Sequence, residues 1–357
     1  MMLLSTFSFN AGTTNSHFRT AFFFTIILLI ITTTMWELHW RRQGYTPNIK
    51  DSAGLWAKQR SRIINEGKRG TVIIGSSRVL FGLNLEVWRD EIDKTSPIQL
   101  SSMKSAPIVL LRDIANDKHF SGFLVIGVTP GPFFLGNSDI AGLIINYQNE
   151  TLAQAWGQQI SQSLENRFAF MDSEANLLSS LEDINWPNRP IKMQATLETP
   201  KLANMLANRQ ANMWLKLEQD TSYQNKIKSL WSMGLKPLLF KQPESKKLQR
   251  IEEVTSLVKQ IRSRGGEVIF VRLPSSGLYR TWESNELPKN DYWNRLLSVS
   301  NARGFHFEDY EKLRQFKLPD TSHLANNEAI AFTRELAKLI KPVYLKWHTQ
   351  LYYQDDK

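Results

Sequence analysis

Thr71-Val72-Ile73-Ile74-Gly75-Ser76-Ser77-Arg78 is a short β-branched run that stops in a glycine and two serines, and a helical pattern follows from about Leu83. A strand that ends this way presents a small hydroxyl side chain at its carboxyl end, where open α/β sheets place their ligands. The helix beyond it offers unpaired N–H groups at its N-terminus, which favour a developing negative charge. A serine there is a poor nucleophile by itself, because its hydroxyl pKa lies far above neutrality and it needs a base in contact.

Outward from this stretch, short apolar runs alternate with amphipathic windows. Leu83–Ile92 is predicted helical with Leu83, Val87 and Trp88 on one face, and Ile98–Leu100 is a second strand. Ile108, Leu111 and Ile114 fall at helical spacing. Phe123–Val128 is apolar throughout, as in a strand buried on both faces of a parallel sheet, and Thr129-Pro130-Gly131-Pro132 stops it. Residues 139–232 contain little that reads as strand. Leu152–Leu164, Asn176–Leu181, Leu202–Leu217 and Tyr223–Met233 favour helix, which predicts a helical insertion. The rhythm resumes with a strand at Pro237–Phe240, a helix at Leu248–Ile261 stopped by Arg264-Gly265-Gly266, and a strand at Val268–Val271. A loop at Ser275–Asn294 and a short helix follow. The last helix begins after Asp320-Thr321-Ser322-His323, capped by Asn326 or Asn327, and buries Ala329, Phe332, Leu336 and Leu339. This β/α order predicts a three-layer α/β domain with a parallel sheet over residues 69–345, and a tail over 346–357.

The amino-terminal part has a different character. Residues 1–17 are polar and read as a mobile tail, and 18–40 contain an uncharged run, Thr20 to Trp36, of about 17 residues, near the minimum for crossing a bilayer. Trp36 and Trp40 stand where an interfacial aromatic belt would be, and Arg41-Arg42 closes the segment. The run has no polar face, as a core helix would need, and Met35-Trp36-Glu37-Leu38 lacks the small residues of a signal-peptide cleavage site. An uncleaved single-pass anchor is expected, followed by a connector at 41–68 with a short helix around Leu55–Ile64. Arg19 alone precedes the run, whereas Arg41, Arg42, Lys50 and Lys58 follow it. Counted literally, this places the large domain in the cytoplasm.

The 357 residues carry a net charge of +10, with 22% charged and 42% hydrophobic residues, ordinary for a globular chain. The lysines and arginines are scattered without a block of like charges, so no nucleic-acid partner is expected. A basic surface binder resting on charge alone would show steep salt dependence. There is no cysteine, which excludes disulfides, thiolate metal sites and a cysteine nucleophile. Nucleotide-binding glycine loops and His-Glu-x-x-His are absent as well, so neither a cofactor nor a metal is expected.

Of the six histidines, His17 and His39 flank the apolar run, and His119 precedes a strand at the sheet's amino edge. His306 alternates with Phe305 and Phe307, and His348 lies near the carboxyl end. Only His323 follows an acidic residue by three positions at a turn entering a helix. From there the Asp320 carboxylate can hold the imidazole Nδ1–H and leave Nε2 free as a base.

A strand-Gly-x-Ser near the start of an α/β domain and an Asp-x-x-His before its last helix together resemble the SGNH/GDSL hydrolase superfamily. Against its Gly-Asp-Ser block, Gly75, Ser76 and Ser77 align, with Ser76 departing at the Asp position. The resemblance implies a flavodoxin-like α/β/α fold and a triad of Ser77, His323 and Asp320. The block that supplies an oxyanion glycine corresponds to Ser101-Ser102-Met103-Lys104-Ser105, which has none. The Gly-x-Asn block corresponds to Gly127-Val128-Thr129, with a threonine hydroxyl in place of the amide. Ser102 and Thr129 are therefore candidate oxyanion residues, and Arg78, Lys104 and Arg272 candidate crevice cations for an anionic glycan.

The anchor, the Gly-Ser-Ser-Arg block and the inserted region resemble a bacterial envelope subset of that superfamily, which works beside membrane-bound O-acyltransferases in decorating surface polymers. That resemblance implies an extracytoplasmic domain at the inner membrane, against the charge count. It also implies an esterase or acyltransferase acting on acyl esters, acetyl esters first among them, of an envelope polysaccharide. The alternative is a non-catalytic scaffold of the same fold that binds the polymer or a partner acyltransferase.

Overall fold

A computed structural model describes residues 14–103, 105–136, 140–172, 175, 200–235 and 243–355. Two compact units are distinguished: residues 1–48 with 164–190, and residues 49–163 with 191–357.

The first unit is built on helix α1, Thr14–Arg42, which starts before and ends after the expected 18–40. Its stretch His17–Arg42 is long and apolar enough to cross a membrane and is not buried against protein. Near its carboxyl end Glu37 accepts the N–H groups of Ala169 (3.0 Å) and Phe170 (3.2 Å), and Arg41 donates to the Arg167 carbonyl.

The second unit is an α/β domain with an entirely parallel five-stranded sheet. Its strands are β1 (Thr71–Ile74), β2 (Ile98–Gln99), β3 (Phe123–Gly127), β6 (Glu267–Arg272) and β7 (Arg303–His306), in the spatial order β2-β1-β3-β6-β7. A separate antiparallel pair, β4 (Ala203–Met205) and β5 (Ala211–Met213), lies in the insertion. Because β2 and β3 flank β1 on opposite sides, the chain reverses direction across the sheet there, which opens a crevice at the carboxyl ends of β1 and β3.

Both faces of the sheet are covered. On one, Val72, Ile74, Leu124, Ile126 and Phe270 pack against Trp56, Ile108, Leu111, Val254 and Leu296. On the other, Ile73, Phe123, Val125 and Ile269 pack against Val79, Trp88, Phe332, Leu336 and Trp347. Every residue of β1 and β3 is buried, as their unbroken apolar sequence requires.

Several sequence expectations are corrected. The segment 41–68 is not merely a connector. Helix α2 (Ala53–Ser61) and a short helix at Ile63–Glu66 bury Leu55, Trp56 and Ile63 completely, so the domain begins near Ile49. An additional helix, α3 (Ser77–Gly82), follows β1 at once, ahead of the expected one, which runs as α-helix from Leu85 to Trp88 and as π-helix to Asp93. Leu202–Leu217 is largely the β4–β5 hairpin. Its three-residue turn is closed by Leu206 N–H to the Gln210 carbonyl and has Arg209 at φ 62°, a left-handed position that ends such turns. The buried Arg209 guanidinium is held there by Asp51 and the Gln99 carbonyl, which outweighs local helix preference. Ser275–Asn294 is mostly helical, not loop, with α-helix at Gly277–Glu286 and π-helix at Lys289–Asn294. The last helix runs from Asn326 to Asp355, so 346–355 is no tail: Trp347 is buried and donates to the Gly265 carbonyl at 2.9 Å. Asn176–Leu181, Pro237–Phe240 and Lys104 lie outside the described residues.

At the start of that last helix the Asn326 side chain grips the hairpin. Its Oδ1 accepts the Met213 N–H at 2.6 Å and its Nδ2 donates to the Met213 carbonyl at 3.1 Å.

Candidate active site

β1 ends at Ile74, Gly75 turns the chain, and Ser76 is the N-cap of α3 with extended backbone. Ser77 is then the first helical residue, where N–H groups have no intrahelical acceptor. Glycines let α3 lie this close to the strands. A Cβ on Gly127 would stand 1.7 Å from Val79 Cγ2, and one on Gly75 2.8 Å from the same atom. The Ser76 and Thr129 hydroxyls are 2.6 Å apart, which ties the carboxyl end of β1 to that of β3 across the crevice.

The Asp320–His323 turn closes over this point. His323 Nε2 is 2.8 Å from Ser77 Oγ, and His323 Nδ1 is 2.6 Å from Asp320 Oδ2. The second carboxylate oxygen, Oδ1, accepts the N–H of Ser322 (3.0 Å) and of His323 (2.8 Å), so residue 320 caps its own turn. Asp320 is fully buried. Burial alone would raise its carboxyl, but the neighbouring His323 and these hydrogen bonds outweigh that and hold it at about 2. An ionised carboxylate on Nδ1 fixes the tautomer with Nε2 as acceptor toward Ser77. Phe81, 4.6 Å from the imidazole between centroids, packs against the ring.

Two residues not foreseen from the sequence complete the arrangement. Trp231, near the end of the insertion helix Thr221–Leu235, donates its indole N–H to Asp320 Oδ2 at 3.0 Å and makes an edge contact with His323. Glu283, buried in the helix Gly277–Glu286, binds Arg78 at 2.6 Å and also pairs with Arg272. Burial would raise the Glu283 carboxyl, but the two guanidinium groups lower it. Neither residue carries a sequence signal, because Trp231 meets Asp320, and Glu283 meets Arg78, from a distant part of the chain.

The candidate cations therefore take another role. Arg78 is 2% exposed and is occupied by Glu283, by the Ser322 hydroxyl at 3.1 Å and by the Tyr279 ring, so it is not a free anion-binding group. Arg272 is paired with Glu283 and donates to the Leu273 carbonyl. Burial lowers its pKa to about 10 against the opposing pull of Glu283. Arg272 lines a neighbouring cavity of about 240 Å³, and Ser77 does not. Ser102 donates its N–H to the Gly75 carbonyl at 3.2 Å, which removes that amide as an oxyanion donor. Thr129 stays at the site.

A cavity of about 400 Å³ opens on Ser77 and His323. Thr129, Pro132, Trp231, Tyr279 and Trp282 contribute to its mainly apolar wall, and Ser102 is not among the lining residues. Among the described residues no group of three or more His, Asp or Glu side chains is placed to hold a metal ion. Chemically, the arrangement has a hydroxyl in contact with an oriented base, beside first-turn N–H groups and a hydroxyl donor. No protein-family model matches the chain, and no curated protein does either.

Proposed function

We propose that this chain is a membrane-anchored SGNH-type serine esterase or O-acyltransferase, with the flavodoxin-like three-layer fold, acting on acyl esters of a cell-envelope polysaccharide. The observation that carries the proposal is the continuous chain Ser77 Oγ, His323 Nε2, His323 Nδ1, Asp320 Oδ2, with contacts of 2.8 and 2.6 Å, at the floor of a cavity. The strand order, with the site at the reversal between β1 and β3, supports the fold. The helix His17–Arg42 supports the anchor.

The reaction follows from the geometry. Ser77 Oγ attacks the acyl carbonyl while His323 Nε2 takes its proton, and Asp320 stabilises the imidazolium. The tetrahedral oxyanion meets the Ser77 N–H at the start of α3. It also meets the Thr129 hydroxyl, whose proton is free when Ser76 donates to Thr129. The C–O bond to the sugar breaks as Nε2 returns the proton to the leaving oxygen, and the acyl group stays on Ser77. Water or a second sugar hydroxyl then loses its proton to Nε2 and attacks the acyl carbon, the bond from that carbon to Ser77 Oγ breaks, and Nε2 returns the proton to Oγ. Water gives an esterase and a sugar hydroxyl gives a transferase. The extracytoplasmic side, the glycan and a partner acyltransferase belong to the same proposal and rest on the sequence resemblance.

Fluorophosphonate labelling of the full chain in detergent or nanodiscs tests this. Wild type is expected to label, and S77A and H323A are not. A folded wild-type protein that does not label overturns the hydrolase reading. It would favour the scaffold, for which the loss of the Ser102 amide as an oxyanion donor is the one supporting observation.

A further inference from the structure

Helix Leu152–Glu165 is inside out for a water-facing helix. Its covered side is glutamine: Gln162 is 8% exposed, and Gln158 fills the space beside Gly54 that a Cβ there would need. Its apolar residues point away. Leu152, Trp156 and Ile160, each one turn from the last, are 82%, 65% and 63% exposed, and Leu164 continues the line at 40%. In the preceding helix, Ala141–Asn149, Ile145 is 56% exposed. From Ile140 to Leu164 the only charged side chain is Glu150, in a protein with 22% charged residues. An exposed helix in water normally carries charge on its outer face and buries its apolar stripe.

We infer that this stripe is a second lipid contact, lying in the headgroup layer of the bilayer that α1 crosses. The inference rests on the reading of α1 as a membrane span. Covalent continuity supports a lipid occupant. Nine residues after Ile160, the chain is bonded at Ala169 to Glu37 at the carboxyl end of α1. The intervening chain, partly helical, reaches only about 20–25 Å. The composition fits the same site. Leucine and isoleucine bury in the acyl boundary, a tryptophan sits at headgroup depth, and the outward flank is uncharged glutamine and serine. With no basic residues, the contact is driven by apolar burial, so it does not depend on anionic lipid.

The absence of cysteine gives a clean test in the full chain. Single cysteines L28C, A153C, Q159C and K338C carry an environment-sensitive fluorophore, and the protein is reconstituted in zwitterionic phosphatidylcholine vesicles. Doxyl-labelled lipid is expected to quench the probes at 153 and 159 severalfold more than the probe at 338, and to quench the probe at 28 strongly. The quenching at 153 and 159 is expected to persist in high salt and to vanish in W156Q/I160Q. A quenched probe at 28 with unquenched probes at 153 and 159 overturns this contact and makes a protein partner the better occupant. Quenching at 153 and 159 that survives W156Q/I160Q, or that requires anionic lipid, overturns it too. An unquenched probe at 28 overturns the membrane span instead.

Discussion

Arg78 Nε donates to the Ser322 hydroxyl at 3.1 Å, which joins the residue after Ser77 to the residue before His323. These two turns are 246 positions apart, yet their functional atoms must stay within 2.8 Å. The other side of the guanidinium is fixed by Glu283, so the clasp is anchored in the helix Gly277–Glu286.

Replacing Arg78 by lysine keeps the charge beside Glu283, but a single ammonium cannot also hold Ser322. R78K is expected to fold with a small loss of stability and to label at least about tenfold more slowly, since displacement of reacting groups by an ångström has large effects. R78A leaves Glu283 short of one partner and should lose about 3–5 kcal/mol in denaturant unfolding.

Thr129 stands where an amide donor would be stronger. T129V is expected to lower the fluorophosphonate labelling rate by about 10²-fold, the usual effect of removing one oxyanion donor. T129N should retain or raise it. An unchanged rate in T129V would remove Thr129 from the site's chemistry.

Trp231→Phe keeps an aromatic edge against His323 and removes the indole hydrogen bond to Asp320. A loss of about 1–2 kcal/mol in stability is expected. Denaturant unfolding of W231F beside wild type reads this loss directly.

Asp320 also links stability to pH. Its folded value of about 2 lies below the free value of 3.8, so the folded protein binds this proton less readily. The stabilisation, roughly 2 kcal/mol, is complete above the unfolded value and is lost as pH falls through about 2. The stability difference between wild type and D320N, followed by denaturant unfolding, should shrink over that interval and stay constant near neutrality.

Trp347→Ala tests the length of the last helix. The indole packs on Phe123 and Tyr344 and bonds to the Gly265 carbonyl. Its loss is expected to cost about 3–5 kcal/mol by denaturant unfolding, whereas a residue in a free tail would cost nothing.

What was legible in the sequence follows the strength of local signals. β1, β3 and β6 each hold a buried apolar run (Val72–Ile74, Phe123–Ile126 and Val268–Val271), and these stand out at once. β7, Arg303-Gly304-Phe305-His306, has one aliphatic or aromatic core residue and a glycine, and becomes a strand through its backbone pairing with β6. The β4–β5 hairpin was hidden because Leu202–Leu217 scores as helix, while the buried Arg209 and its distant partner Asp51 fix a turn. Short motifs and the scarcity of histidines single out Ser77, Asp320 and His323, which the structure brings into contact. Arg78 reads as a crevice cation in the sequence, and the structure pairs it with Glu283, from a segment that reads as a loop. No pattern within one segment shows that a surface arginine will be buried by another.

The grip of Asn326 on Met213 has a consequence for solubility. A two-stranded hairpin leaves a row of free N–H and carbonyl groups along each outer edge, an open template for a strand from another molecule. At Met213 that template is already filled by a side-chain amide, which supplies both a donor and an acceptor, as a neighbouring peptide group would. Asn326 acts as a one-residue strand that blocks the edge of β5. Asn326→Leu would unblock it beside the Asp320–His323 turn, and its first visible defect would be self-association of an otherwise folded protein.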